Sequence, residues 1–139
     1  MAKSLLDTDI LSEVMRGKNE RVVVNASAYV QTNRRLTISV ISVAEVVKGF
    51  DRLQREADVA RFLVNVEDME VLPLTTDAAV LAGRIYGALE RNGLPIGRLD
   101  PLVAAIALNE GLELVTGNTS HYERIRPLGF DLRIANWRE

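Results

Sequence analysis

The chain has 139 residues, 47% of them apolar and 26% charged, with a formal net charge of −2. This length suits one domain with a core of its own, and no apolar run approaches the roughly 20 residues that span a bilayer. Cysteine is absent and His121 is the one histidine, which excludes a disulfide scaffold, a thiolate zinc site, a cysteine nucleophile and a histidine-rich metal centre. Any chemistry falls to oxygen ligands. The opening Met1-Ala2-Lys3-Ser4 runs straight into Leu5-Leu6 and has neither the apolar core nor the cleavage site of a signal peptide. The expectation is therefore a cytoplasmic domain over residues 1–139, with no membrane segment. The slightly acidic balance lacks the basic footprint usual in nucleic-acid binders.

In chain order, a strand at residues 4–6 ends at Asp7, and Thr8, Asp9 and a helical pattern follow. Val22, Val23, Ala26 and Val30 share one helical face. A β-branched strand at 36–40 leads into "ISVISVAEVVKG", where Ser42 and Glu45 have the S-x-x-E spacing of a capping box. Two further faces follow: Val43, Val46, Val47, Phe50 and Leu53, then Val59, Phe62, Leu63 and Val66. After a strand at 70–74 comes the clearest helix, with Ala78, Leu81, Ala82, Ile85, Ala88 and Leu89 at steps of three and four. Asn92-Gly93 ends it in a left-handed turn and Pro95 acts as a stop. "IGRLDPLVAAIAL" places Asp100-Pro101 at the start of a helix that is apolar all round. A strand at 113–115 leads to Asn118 and the short helical stretch "TSHYERI", and a last strand covers 132–135. Strands alternating with helices predict an α/β fold with a largely parallel sheet.

In such a sheet, ligands collect beyond the carboxyl ends of the strands. Asp7, Glu45, Asp100 and Asn118 all stand at strand ends or at the starts of the helices that follow. Each alone suits a helix cap as well as a ligand. Jointly the balance changes. Three carboxylates gathered at one sheet edge repel each other and push a pKa upward, and Mg²⁺ or Mn²⁺ relieves that repulsion with oxygen ligands alone. An asparagine oxygen can join such a set without adding charge.

The blocks "LLDTDILSEVMRG", "ISVISVAEVVKGF", "IGRLDPLVAAIAL" and "LVTGNTSHYERI", in this order and spacing, resemble the PIN-domain ribonucleases, and among them the VapC toxins of prokaryotic type II toxin–antitoxin pairs. The resemblance covers nearly the whole chain. It implies a single PIN domain with a three-layer α/β/α fold and a parallel five-stranded sheet. It also implies a Mg²⁺ or Mn²⁺ site, RNA cleavage leaving a 5′-phosphate and a 3′-hydroxyl, homodimerisation, and inhibition by a cognate small antitoxin. Carried over by position, Asp7 matches the first acid of the family, Glu45 the acid on the helix after the second strand, and Asp100 the acid opening the apolar helix. These three are the implied metal ligands. Asn118, where relatives carry Asp or Asn, completes the implied catalytic set.

Two positions depart from the pattern: Gly117 stands where Arg is common, and His121 where Asp is common. His121 is expected to be a surface residue. Arg16, Lys18, Arg34, Arg35, Lys48, Arg52, Arg55 and Arg98 are expected either to form a basic rim for RNA or to be solvated helix faces. Two other functions compete. One is a non-catalytic PIN module that only binds RNA or antitoxin, which Asn118 keeps open. The other is a phosphohydrolase of the haloacid-dehalogenase type. It shares the D-x-D of Asp7 and Asp9, but here Leu11 replaces the usual Thr or Val and no later lysine precedes an acidic pair at suitable spacing.

Overall fold

In the computed structural model, which describes residues 1–94 and 96–139, five strands form one parallel sheet. They are β1 (Ser4–Leu6), β2 (Thr37–Ser39), β3 (Glu70–Leu72), β4 (Glu113–Val115) and β5 (Ile134–Ala135), in the order β3-β2-β1-β4-β5. Central β1 pairs through Leu6 with Ile38 on one side and with Val115 on the other. Successive side chains of a strand point to opposite faces, so Leu5 and Leu114 enter one core while Leu6 and Val115 enter the other. All four are fully buried, as a parallel sheet covered on both faces requires.

The Leu6 face is covered by α1 (Thr8–Arg16), α2 (Glu20–Asn33), α3 (Val40–Arg52) and α4 (Glu56–Val66). The Leu5 face is covered by α5 (Thr76–Arg91), α6 (Asp100–Asn109) and the short α7 (Thr119–Tyr122). This is the expected three-layer α/β/α arrangement. The chain builds outward from β1 through β2 to β3, then returns to place β4 and β5 on the other side of β1. That reversal makes the crevice beyond the carboxyl ends of β1 and β4 the place where an open α/β sheet binds ligands. Asp7 follows β1 there, and Thr116 follows β4.

Several local signals translate directly. Ala78, Ala82, Ile85, Ala88 and Leu89 form the buried face of α5, and residues 103–107 of α6 are buried without a break. Their many alanines let the two helices approach closely. Gly93 follows α5 with φ +61°, a left-handed conformation that glycine takes without steric cost. The stop expected at Pro95 lies outside the described residues.

Other expectations are corrected. The cap of α3 is Ser39, whose hydroxyl accepts the Ser42 N–H at 3.3 Å. Ser42 therefore lies inside the helix, the Ser42/Glu45 capping box does not form, and β2 ends one residue before position 40. β3 ends at residue 72 rather than 74, and β5 begins at 134 rather than 132. The inner face of α2 is Val22, Ala26 and Tyr29, while Val23 and Val30 remain at the surface. Tyr29 takes the inner position because its ring packs on Trp137, at 5.9 Å between centroids, and its hydroxyl serves the start of the sheet. That hydroxyl accepts the Ser4 N–H at 3.1 Å, donates to the Ser4 carbonyl at 3.1 Å and contacts the Thr37 hydroxyl at 2.7 Å. Leu53 and Leu63 are likewise exposed, since at 100° per residue a helix that points Phe62 inward turns Leu63 away.

Tyr29→Phe keeps the ring but strands buried polar groups of Ser4, and is expected to cost about 1–3 kcal/mol. Urea unfolding measures this, and an unchanged midpoint would remove the hydroxyl from the account.

Candidate active site

Asp7 continues the β1–β4 ladder by one residue, donating its N–H to the Val115 carbonyl at 2.8 Å, and the chain then turns into α1. It occupies the N-cap position, yet its cap bond reaches only the adjacent Thr8 N–H, at 2.9 Å to Oδ1. Oδ2 is left for other elements. It accepts from the Thr116 hydroxyl at 2.9 Å and from the Tyr122 hydroxyl at 3.1 Å. The residue is only 4% exposed. Burial, reinforced by the charges of Asp9 and Asp100 and opposed by the Thr116 and Thr8 bonds, raises its pKa to about 6.

Tyr122 ties a second acid to the first. Its side chain is fully buried on α7, and its hydroxyl lies within reach of both Asp7 and Asp100. Burial first, then the two carboxylates, push the phenol far above its ordinary range, so it keeps its single proton, which it donates to Asp7 Oδ2. Asp100 is the first residue of α6 and makes no capping bond; Leu99 holds the cap position. Close packing on Gly97, where a Cβ would stand 2.7 Å from Asp100 Oδ2, confines that carboxylate. His121 is half exposed, with Nδ1 3.7 Å from Asp100 Oδ2.

Glu45 projects from the middle of α3. Thr8 Oγ1 donates to its Oε1 at 2.7 Å and is itself 2.8 Å from Ser42 Oγ. Because the single Thr8 proton goes to Glu45, Ser42 is the donor to Thr8. Glu45 is thus one hydroxyl away from the backbone that carries Asp7. It borders a groove of about 570 Å³ between α1, α3 and α4, lined also by Ser12, Arg16, Phe50, Arg55 and Arg61. Asn118 precedes α7, and its N–H donates to the Thr116 hydroxyl at 3.0 Å. Its side chain is exposed and makes no hydrogen bond among the described residues.

The structure therefore brings Asp7 and Asp100 near Tyr122, ties Glu45 to Thr8 rather than to either aspartate, and leaves the Asn118 side chain exposed. Among the described residues, no three acidic or histidine side chains form an ion cage by themselves. One or two carboxylates, with water and substrate oxygens completing the shell, is how Mg²⁺ is commonly held, and the all-oxygen donors fit that ion or Mn²⁺. Of the basic rim, Arg16 and Arg55 line the groove. Arg34 and Arg35 precede β2, which puts them at the opposite, amino edge of the sheet.

Sequence reasoning missed Thr116, Tyr122, Asp9 as an ion-pair partner, and Arg138. Thr116 carried a weak signal, a hydroxyl directly after a strand at the ligand-binding edge. Tyr122 gave only the signal of a buried aromatic. Asp9 accepts the Gly117 N–H at 2.9 Å and lies 3.5 Å from Arg138 Nη2. Burial raises its pKa, against the pull of the Gly117 N–H and Arg138. With Asp9 so engaged, the D-x-D likeness to haloacid-dehalogenase enzymes gains no support.

Comparison with known proteins agrees with this geometry. The PIN domain matches residues 4–126. The chain is 31% identical over 138 residues to the tRNA(fMet)-specific endonuclease VapC of Salmonella typhimurium, covering 99% of each. The crystal structure of DNA-bound VapBC from the same organism superimposes with a TM-score of 0.83 at 31% identity, covering 99% of both chains. That of VapBC2 from Rickettsia felis, bound to a promoter DNA fragment, gives 0.82 at 26% identity, covering 98% of this chain and 99% of that one. With an acidic crevice at the β1–β4 switch and these matches along its length, the chain belongs to the PIN-domain family, in its VapC branch.

Proposed function

We propose that this chain is a Mg²⁺- or Mn²⁺-dependent endoribonuclease, the toxin of a toxin–antitoxin pair, acting in the cytoplasm as a homodimer and restrained by a small cognate antitoxin. The observation that carries the reading is the meeting of Asp7 and Asp100 at the Tyr122 hydroxyl, at the point of the sheet where ligands bind. The VapC and VapBC relatives support RNA as substrate and an antitoxin as partner. Large apolar side chains left outside the core, such as Val24 and Val80, support a second copy. No helix among the described residues is long and apolar enough to cross a membrane.

The reaction is hydrolysis: water oxygen joins phosphorus, the P–O3′ bond breaks, and 5′-phosphate and 3′-hydroxyl ends remain. Asp7, Asp100 and Glu45 are the residues that would hold the ion. When bound, it supplies Lewis acidity toward the phosphodiester and lowers the pKa of water. Thr116 and Tyr122 fix the orientation of Asp7, and Tyr122 keeps Asp100 beside it. Thr8 aims Glu45, with Ser42 setting the direction of the Thr8 proton. Asn118, exposed at the rim, is placed to meet RNA or its hydration water. No histidine base is required, and we assign His121 no step.

The test is cleavage of RNA by antitoxin-free protein, with tRNA as first substrate. Cutting should require Mg²⁺ or Mn²⁺, stop in EDTA, and disappear in Asp7→Asn and Asp100→Asn. A folded parent protein that binds RNA but never cuts it would support the non-catalytic reading instead.

The charge of Asp7 also predicts a stability signature. The folded state keeps the Asp7 proton up to about pH 6, the unfolded chain only to near 3.8. The native state binds more protons between these values, so stability falls as pH rises through the window. Asp7→Asn removes the charge while its amide oxygen still accepts from Thr116 and Tyr122. It is expected to exceed the parent in stability by about 1–3 kcal/mol at pH 8, with the advantage shrinking toward pH 4. Saturating Mg²⁺ should raise the parent's Tm and leave the variant's unmoved. A pH-independent difference would contradict this.

Because Glu45 has no capping duty, Glu45→Gln isolates its charge, the amide oxygen still accepting from Thr8. The expected outcome is a stability change within about 0.5 kcal/mol and a large loss of cleavage. Retained cleavage would remove Glu45 from the site.

A further inference from the structure

Arg138 reaches the edge of the acidic crevice, at Asp9 and Gly117, from the far end of the chain. Its tail is clamped: Trp137 is buried against Tyr29, the Trp137 carbonyl accepts from Asn25 Nδ2 at 3.2 Å, and the Arg138 N–H donates to Asn136 Oδ1 at 3.0 Å. From this fixed origin the side chain reaches α1. Nε donates to Glu13 Oε2 at 2.8 Å, and Nη2 stands 3.5 Å from Asp9 Oδ2. The guanidinium lies directly on Gly117. A Cβ there would be 1.8 Å from Nη1 and 2.6 Å from Cζ, so the absence of a side chain at 117 is what admits it. Nη1 makes no hydrogen bond among the described residues, and the side chain is 35% exposed.

We propose that Arg138 is a substrate-binding residue that grips an RNA backbone phosphate at the Asp9 and Gly117 edge of the acidic crevice. The proposal rests on the ribonuclease reading above and names the group that meets the polyanion there. A crevice walled by Asp7, Asp9 and Asp100 repels phosphate, and a cation at its edge offsets that repulsion. With Nε on Glu13 and Nη2 facing Asp9, Nη1 is the nitrogen left to donate to a phosphate oxygen. Glu13 and Asp9 hold the guanidinium in place, so little side-chain freedom remains to be lost on binding. A simple tail clamp needs no unbonded nitrogen at Nη1, and Trp137 and Asn25 already hold the tail.

The experiment measures binding of unfractionated tRNA in EDTA, where cutting is silent, across a range of salt, for the parent and Arg138→Ala, Arg138→Lys and Gly117→Ala. Arg138→Ala should bind about tenfold more weakly, as expected for losing one charged contact. Its plot of log affinity against log salt should flatten by about 0.7 to 0.9, the share of one phosphate contact. Arg138→Lys should keep the slope and lose part of the affinity. Gly117→Ala, whose methyl displaces the guanidinium, should resemble Arg138→Ala. With Mg²⁺ added, KM should rise more than kcat falls. If Arg138→Ala unfolds, Arg138→Lys and Gly117→Ala decide the matter. Parental affinity and slope in the folded variants would reduce Arg138 to a tail clamp while leaving the ribonuclease reading intact. A parent protein that neither binds nor cuts RNA would overturn both.

Discussion

The Asp7 carboxylate is held where a charge is costly, almost wholly buried at the end of the central strand with Asp9 and Asp100 nearby. Taking a carboxylate out of water is unfavourable unless hydrogen bonds or a counter-charge replace the lost solvent. Thr8, Thr116 and Tyr122 supply three donors, and even so the pKa stands near 6 rather than below the usual carboxylate range. Local hydrogen bonding therefore offsets only part of the penalty, and under the proposed function a divalent cation would supply the missing counter-charge. Much of the surroundings follows from this constraint. α7 exists as a single turn that delivers Tyr122, a hydroxyl residue, Thr116, directly follows β4, and Gly97 lets the Asp100 carboxylate pack close to the chain.

The net charge of −2 looked unsuited to an RNA-binding protein, and the fold explains why the total misleads. Asp7, Asp9, Asp100 and Glu45 lie at or just beyond the carboxyl edge, where Arg138 pairs with Asp9 and the proposed ion would offset the others. The remaining charges are distributed by topology rather than by count. Arg34 and Arg35 lie at the amino edge, and Arg55 and Arg61 are both paired with Asp58 at 2.6 Å. Recognition by phosphate contacts depends on where cations stand relative to the backbone, not on their sum.

The fold was legible because its signals are local. Strands β1 and β4 were bounded correctly by short apolar runs, and the α5 face by steps of three and four. Val30 and Leu63 were misplaced because periodicity identifies a stripe but does not say which of two adjacent apolar residues the opposing layer will accept. Tyr29 displaced Val30 through hydrogen bonds to Ser4, 25 residues away. The capping box failed because two serines three residues apart, Ser39 and Ser42, compete for the cap, and the strand register decides between them. The acids were visible at the element junctions. Their supporting groups were not: the bonds from Tyr122 and Thr116 to Asp7 span 115 and 109 residues, and that from Arg138 to Glu13 spans 125. No local pattern encodes contacts of that length. Asn118 was legible as a position, and the structure adds that its side chain points to solvent rather than onto the carboxylates.

The central claim is that Asp7 and Asp100 together hold a divalent ion. Anomalous diffraction from crystals of the antitoxin-free protein soaked in MnCl₂ addresses this most directly. The account predicts a manganese peak ligated by carboxylate oxygens of both Asp7 and Asp100, with Glu45 bound directly or through one water. A manganese position elsewhere, or an empty crevice at saturating Mn²⁺, would contradict it.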